Sequence, residues 1–298
     1  MKSLILLEIS LLQERRKSST GDGNMSRRTA TGLAGVGLSV MLLSGCSYAH
    51  QAKAAGEERL SFPVDQTTAL HVKTGNGFVR ATAGAADVFE ITVRKEGRAP
   101  TMREAEEALA AIEIISETAD GVRTLTWRYK EPRSKAWNAT VSFEVLMPAS
   151  VALAATTHNG ALNVSGLTSD VDLSTHNGAV VVEGHTGARL KAKSYNGGLS
   201  VSSSAADLDA ETYNGAIRCT ASNRAAPHIR LVSHNGGIDL DLADDASAAL
   251  TCLTSNGSVR CDLPVTADAA SRTNLSGKLG DGAGRVRTET HNGSIRVR

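Results

Sequence analysis

The sequence has little excess charge of either sign: 32 Lys and Arg stand against 31 Asp and Glu in 298 residues. Aromatic residues make up only 3% of the chain, and there are four cysteines. After Leu43 no apolar run is long enough to cross a membrane as a helix. Each scarcity excludes something. Balanced charge supplies no electrostatic footprint for nucleic acid, so no nucleic-acid partner is expected. The missing apolar run leaves a soluble body. Few rings mean a core filled by Val, Leu, Ile and Ala, as suits a narrow interior between two thin walls.

What is present begins with an address. Arg27 and Arg28 precede the uncharged stretch Thr29 to Leu43, and Leu43-Ser44-Gly45-Cys46 follows at once. That is the layout of a signal peptide over residues 1–45. Its ending resembles a bacterial lipobox, which implies cleavage before Cys46 and acylation of that cysteine. Residues 1–24 fit the plan poorly, because Glu8 interrupts their apolar run and Met25 offers a better start. Removing residues 1–45 takes away six basic and three acidic side chains, leaving 26 against 28. Residues 46–59 read as a flexible linker from the membrane to the body. Lipid chains would then hold the protein at the membrane. Ser47, where an Asp would suggest retention at the inner membrane, points to the outer one. Cys219, Cys252 and Cys261 remain, an odd number in an oxidising compartment.

Asn-Gly recurs at Asn76, Asn159, Asn177, Asn196, Asn214, Asn235, Asn256 and Asn292, and from Asn159 on the spacings are 18, 19, 18, 21, 21 and 36. The last gap holds a degenerate copy, Asn274-Leu275-Ser276-Gly277. Aligned on Asn, apolar or small residues recur six and four before it and three and five after it. Thr or Ser stands two before it in every copy. Alternation on both sides of a two-residue corner is the signature of strands. The corner pairs Asn159-Gly160, Asn177-Gly178, Asn196-Gly197, Asn214-Gly215, Asn235-Gly236, Asn256-Gly257 and Asn292-Gly293 are read as turn residues, since Asn and Gly accept positive φ most readily. A meander of hairpins and a solenoid both fit. Identical residue types at identical offsets favour the solenoid, where neighbouring coils cover each other's apolar rows.

The fold class is therefore all-β: a single-domain, parallel β-helix-like solenoid of 18–21-residue repeats. Residues 151–298 form its regular part. Residues 60–150 form its N-terminal part and cap, with strands near Val88–Val93, Thr124–Tyr129 and Thr140–Met147. One helix is expected from Met102, capped by Thr101 with Glu104 in a capping box.

The recurring His/Tyr-Asn-Gly corner, the lipobox and the Val/Ile alternation together resemble the bacterial β-repeat family known as candidate adhesins, the DUF4097 type of domain, from about Leu60 to Arg298. The resemblance implies a right-handed β-solenoid in the cell envelope and no defined activity. The expected role is lipid-anchored and non-enzymatic, binding or scaffolding with an envelope glycan or protein as partner. Two rivals are an envelope-stress regulatory partner and a β-helix carbohydrate-active enzyme. No cofactor is expected.

Candidate site residues follow from the repeat. The position before Asn holds His158, His176, Tyr195, Tyr213, His234 and His291, with Ser255 in one copy. These form either a ligand strip or a stacking ladder that braces the corner, and the ladder is preferred because Tyr interrupts any row of metal-binding imidazoles. Asp239, Asp241, Asp244 and Asp245 read as a solvated loop. Cys252 and Cys261 flank one corner symmetrically, either bonded across it or packed as free thiols. Cys219 is placed two coils from Cys261. Arg218, Arg260 and Arg296 share one offset without lying on successive coils. No offset carries a column of acids or bases from coil to coil.

Overall fold

In the computed structural model, which describes residues 52–84, 87–223 and 226–298, each Asn-Gly copy forms one coil. A strand runs up to Asn, the chain turns a corner, and a second strand runs away. Val171–Asn177 followed by Val180–His185 is one such pair. The first strands of neighbouring coils pair in parallel with Asn opposite Asn, as Asn177 is opposite Asn159. The second strands pair likewise, Val180 with Leu162 and with Leu199. The result is two facing sheets of 12 and 11 strands. Parallel stacking of coils makes this a solenoid and excludes the hairpin meander.

The sequence offsets define the core. Leu153, Val171, Leu190, Leu208, Ile229, Leu250 and Val286, six before Asn, are all buried. So are the rows four before, from Ala155 to Thr288, and two before, from Thr157 to Thr290. Neighbouring coils hide what one coil would expose, so burial here is cooperative along the stack.

The coils do not stack in chain order. The coil of Gly284–Asn292 and Ile295–Val297 sits directly on the Asn235 coil. The coil of Ala248–Asn256 and Val259–Cys261 stacks outside it. The stretch between them is not a degenerate coil. Asn274–Leu279 runs antiparallel to Ala248–Asn256, and Thr266–Ala270 runs antiparallel to Asn274–Leu279. This hairpin covers Ala248–Asn256, the outermost coil strand of the 12-stranded sheet, whose free backbone groups would otherwise invite another chain.

The other end is antiparallel. Ala52–Pro63 pairs with Val88–Ala99 along its whole length, and Val88–Ala99 pairs with Asn138–Met147. Residues 52–59, expected as linker, are therefore strand. Cross-strand pairing overrides their modest β-propensity. Ala54 and Phe62 are buried, and Glu58 meets Lys95 at 2.9 Å. The helix spans Met102–Ala110, with the Thr101–Glu104 capping box formed in both directions. It packs closely on the strand beneath: a Cβ at Gly97 would lie 2.6 Å from the Ala105 carbonyl oxygen. Ile112–Ala119 and Val122–Tyr129 complete this end of the 12-stranded sheet. The signal peptide, Cys46, Ser47 and residues 48–51 lie outside the described residues. Among the described residues, no helix is long and apolar enough to cross a membrane.

Candidate functional site

The corner is built from three ladders. Innermost, the Thr or Ser two before Asn donates its hydroxyl hydrogen to the corner-glycine carbonyl of the coil below. Thr175 reaches Gly160 at 3.0 Å, Ser194 reaches Gly178 at 2.8 Å and Thr212 reaches Gly197 at 2.8 Å. Thr157, Ser233, Thr290 and Thr254 repeat this on Gly77, Gly215, Gly236 and Gly293. These buried hydroxyls are thereby satisfied.

Next, the asparagines form one amide ladder. Each side-chain N–H donates to the side-chain oxygen of the preceding coil, at 2.7–2.9 Å, from Asn159 on Asn76 through to Asn256 on Asn292. The glycines are fixed by contact rather than by conformation. A Cβ on Gly160, Gly178 or Gly197 would lie 2.0 Å from the glycine carbonyl oxygen one coil below. None of the seven corner glycines from Gly160 to Gly293 has φ in the left-handed region, and neither does any corner Asn. The expectation that Asn-Gly serves as a positive-φ turn is therefore corrected. Asn is present for its two-ended amide and Gly because backbones meet there.

Outermost stands the ring column. His158, His176, Tyr195, Tyr213, His234 and His291 stack in that order, with centroids 4.5–5.0 Å apart and planes within 10° of parallel. Ser255, on the outermost coil, carries no ring to extend it. Imidazole lone pairs lie in the ring plane, so parallel rings aim them side by side rather than at one ion. The His158 and His176 rings lie with centroids 4.7 Å apart and planes 6° from parallel, which is the geometry of a stack. Tyr195 and Tyr213 keep 45% and 41% of their surface exposed, so the column still presents ring edges outward. A groove of about 820 Å³ runs beside it, with Lys193, Glu211, Val232 and Glu289 among the residues on its other side.

The chain bearing these ladders has recognisable kin. The sequence profile of the Toastrack DUF4097 family matches residues 59–298. The chain belongs to this family. A comparison with curated proteins finds no match. A crystal structure of a candidate cell adhesion protein from Clostridium sporogenes aligns over 82% of this chain and 98% of that one, at 11% identity and a TM-score of 0.40. A candidate adhesin from Bacteroides fragilis aligns over 81% and 97%, at 9% identity and 0.36. One from Parabacteroides merdae aligns over 81% and 96%, at 12% identity and 0.31.

In this Toastrack chain the outward strand rows carry charges of alternating sign, which a search for like residues at one offset misses. Lys191 meets Asp172 at 3.6 Å, and Arg189 meets Asp207 at 3.7 Å. Arg230 reaches both Asp209, at 2.7 Å, and Glu211, at 3.1 Å. Burial opposes ionisation of Glu211, but hydrogen bonds from Arg230 and Lys193 outweigh it and hold the carboxyl below its ordinary value. Arg260 and Arg296 do lie on neighbouring coils, because of the changed coil order. Both bond Asp262 and hold its carboxyl below the usual range. Asp241 of the acidic run is engaged by Arg298.

All three described cysteines are free thiols. Burial pushes Cys219 up to about 12 and Cys252 to about 11. Cys219 stands three coils from Cys261, not two. One residue escaped sequence reasoning. His185 is 1% exposed, with Nδ1 2.9 Å from Ser203 Oγ and Nε2 2.8 Å from the Ser169 carbonyl. Burial lowers its pKa, against the opposing pull of Ser169 and Asp170. Its only sequence signal was a single histidine closing the second strand of one coil.

A second concavity, of about 1370 Å³, lies at the antiparallel end. Asn138–Thr140 and Arg94–Arg98 run past the corner at Asn76 and Gly77, and the space between them forms a basin. Its charges are largely paired: Arg59 with Glu57, Arg94 with Glu144, and Arg98 with Glu96.

Proposed function

We propose that this protein is a lipid-anchored cell-envelope component that binds or scaffolds rather than catalyses. The observation that carries the reading is the ring column with its groove. Six coils hold one continuous outward strip in fixed register, each ring braced by the next and by the ladders behind it. A preorganised strip of this kind costs little to order on binding, which favours an extended partner such as an envelope glycan. The non-enzymatic reading is supported by how the outward charges are used. Asp172, Asp209, Glu211 and Asp262 are each tied to a cation, whereas a hydrolase would need a carboxyl group free to move a proton. The anchor rests on Arg27 to Cys46, with the outer membrane as the destination that Ser47 points to.

Sedimentation with isolated cell-wall glycan tests the binding role. The wild-type chain is expected to co-sediment. Tyr195→Ala/Tyr213→Ala, which opens the column at its centre, is expected to lose at least tenfold in affinity while remaining folded. Equal binding by both would remove the column from the account, and release of reducing sugar ends would replace binding with catalysis.

A further inference from the structure

The loop between the strands Val122–Tyr129 and Asn138–Met147 is basic and flanked by aromatic rings. Residues 130–136 are all exposed and carry Lys130, Arg133 and Lys135 against one acid, Glu131. The Glu131 carboxylate is turned back onto the loop, accepting from the Arg133 backbone N–H at 3.2 Å. Both tryptophans of the chain flank this loop. Trp127, Tyr129 and Trp137 form a ring cluster beneath it, with centroids 5.4 and 6.0 Å apart, and the Arg133 guanidinium lies 5.5 Å from the Tyr129 ring centre. Trp127 and Trp137 are only partly buried.

This loop also lies where the chain enters. The first described strand begins at Ala52, and Lys53 is in register with Arg98, which is in register with Asn138, the residue just after the loop. Five residues separate Cys46 from Ala52, so an acylated Cys46 could stand no more than about 22 Å from the start of that strand. Other charges at this end are largely spoken for. Glu96 takes Lys53 and Arg98, Glu107 takes Arg103, Glu104 is tied into the helix cap, and Glu106 is the remaining helix acid.

We propose that the loop 130–137 docks on an anionic phospholipid surface, so that the antiparallel end lies on the membrane and the coils stand away from it. This rests on the lipid-anchor reading for its geometry. Its chemistry is independent: cations near an anionic bilayer are attracted at about 1 kcal/mol each, and Trp and Tyr favour the headgroup level. The antiparallel end thereby gains a role beyond covering the solenoid.

The test uses residues 46–298 with Cys46→Ser, so that no acyl chain contributes. Every described strand and core residue lies within that segment. The protein is titrated with vesicles of phosphatidylcholine alone or with a quarter of phosphatidylglycerol. Tryptophan emission then reports this end only, since the chain has no others. Binding with a blue shift is expected on the anionic vesicles alone, and is lost near 1 M salt, where the screening length falls to ~3 Å. Lys130→Glu/Arg133→Glu/Lys135→Glu should bind at least about 100-fold more weakly. The milder Lys130→Gln/Lys135→Gln should bind about 30-fold more weakly. Arg285→Glu/Arg287→Glu, on a distant coil, should bind as wild type. Binding to neutral vesicles as well, no binding at low salt, or unchanged binding by the loop variants would overturn the proposal. The mass of the protein extracted from cell membranes separately reports acylation of Cys46. Its absence would remove the anchor without touching the vesicle result.

Discussion

The regular coils and the antiparallel end obey different rules. In the coils a residue is chosen by its neighbours above and below: Asn bonds Asn, rings stack on rings, and each hydroxyl meets a glycine carbonyl. No Phe or Trp occurs after Phe143, because a coil with a narrow interior is filled by Leu, Val, Ile and Ala. At the antiparallel end nothing repeats. Phe62, Phe89 and Phe143 fill a wider core, and a helix closes over strands that have no coil beyond them. A repeat thus secures its specificity along the stack, and an end secures it by bulk and by cross-strand pairing.

The comparison breaks most visibly at glycine. Gly197→Ala would place a Cβ 2.0 Å from the Gly178 carbonyl oxygen, whereas Gly75, at the equivalent of the ring column in the first copy, has open space. Urea melts should show a loss of more than about 4 kcal/mol for Gly197→Ala and a change within about 0.5 kcal/mol for Gly75→Ala. Asparagine comes next. Asn196→Leu removes a bond on each side, at 2.7 and 2.8 Å, and should cost about 2 kcal/mol, while Asn76→Leu at the ladder's end should cost about half of that.

A smaller, pH-dependent effect isolates His185. Its folded pKa lies below the ordinary value of 6.5, so the unfolded chain binds the proton more readily. The stability held by its neutral form is fully present above pH 6.5 and is lost as pH falls through the folded value. Melts between neutral and mildly acidic pH should show this slope, and His185→Gln should flatten it. The smallest effect belongs to the outward ion pairs. Lys191→Ala should change stability by no more than about 0.5 kcal/mol, since both partners are half-exposed.

Much of this contrast was legible in the sequence. Period-two alternation placed Leu153 to Val286 and Thr157 to Thr290 inside, because the side-chain period of a strand is fixed by geometry. The helix was legible from its capping box. The coil order was not, because the Asn256 and Asn292 copies carry the same inward pattern of apolar or small residues. Ser255 was the one hint, since only a terminal coil can drop its ring without breaking the column. The strand at 52–59 was hidden because its partner, not its own propensity, makes it a strand. The charge rows were hidden because stacking favours alternating signs, as in Asp172, Lys191, Asp209 and Arg230.

The corner itself gives the most direct test, because the same two residues can serve a left-handed turn or a ladder. Backbone scalar couplings that report φ, measured by NMR at Asn177, Asn196, Asn214 and Asn235, separate the two. Negative φ at all four is the expected result, with Gly needed for close approach and Asn for its amide. Positive φ at these positions would return the corner to a turn and contradict the ladder account.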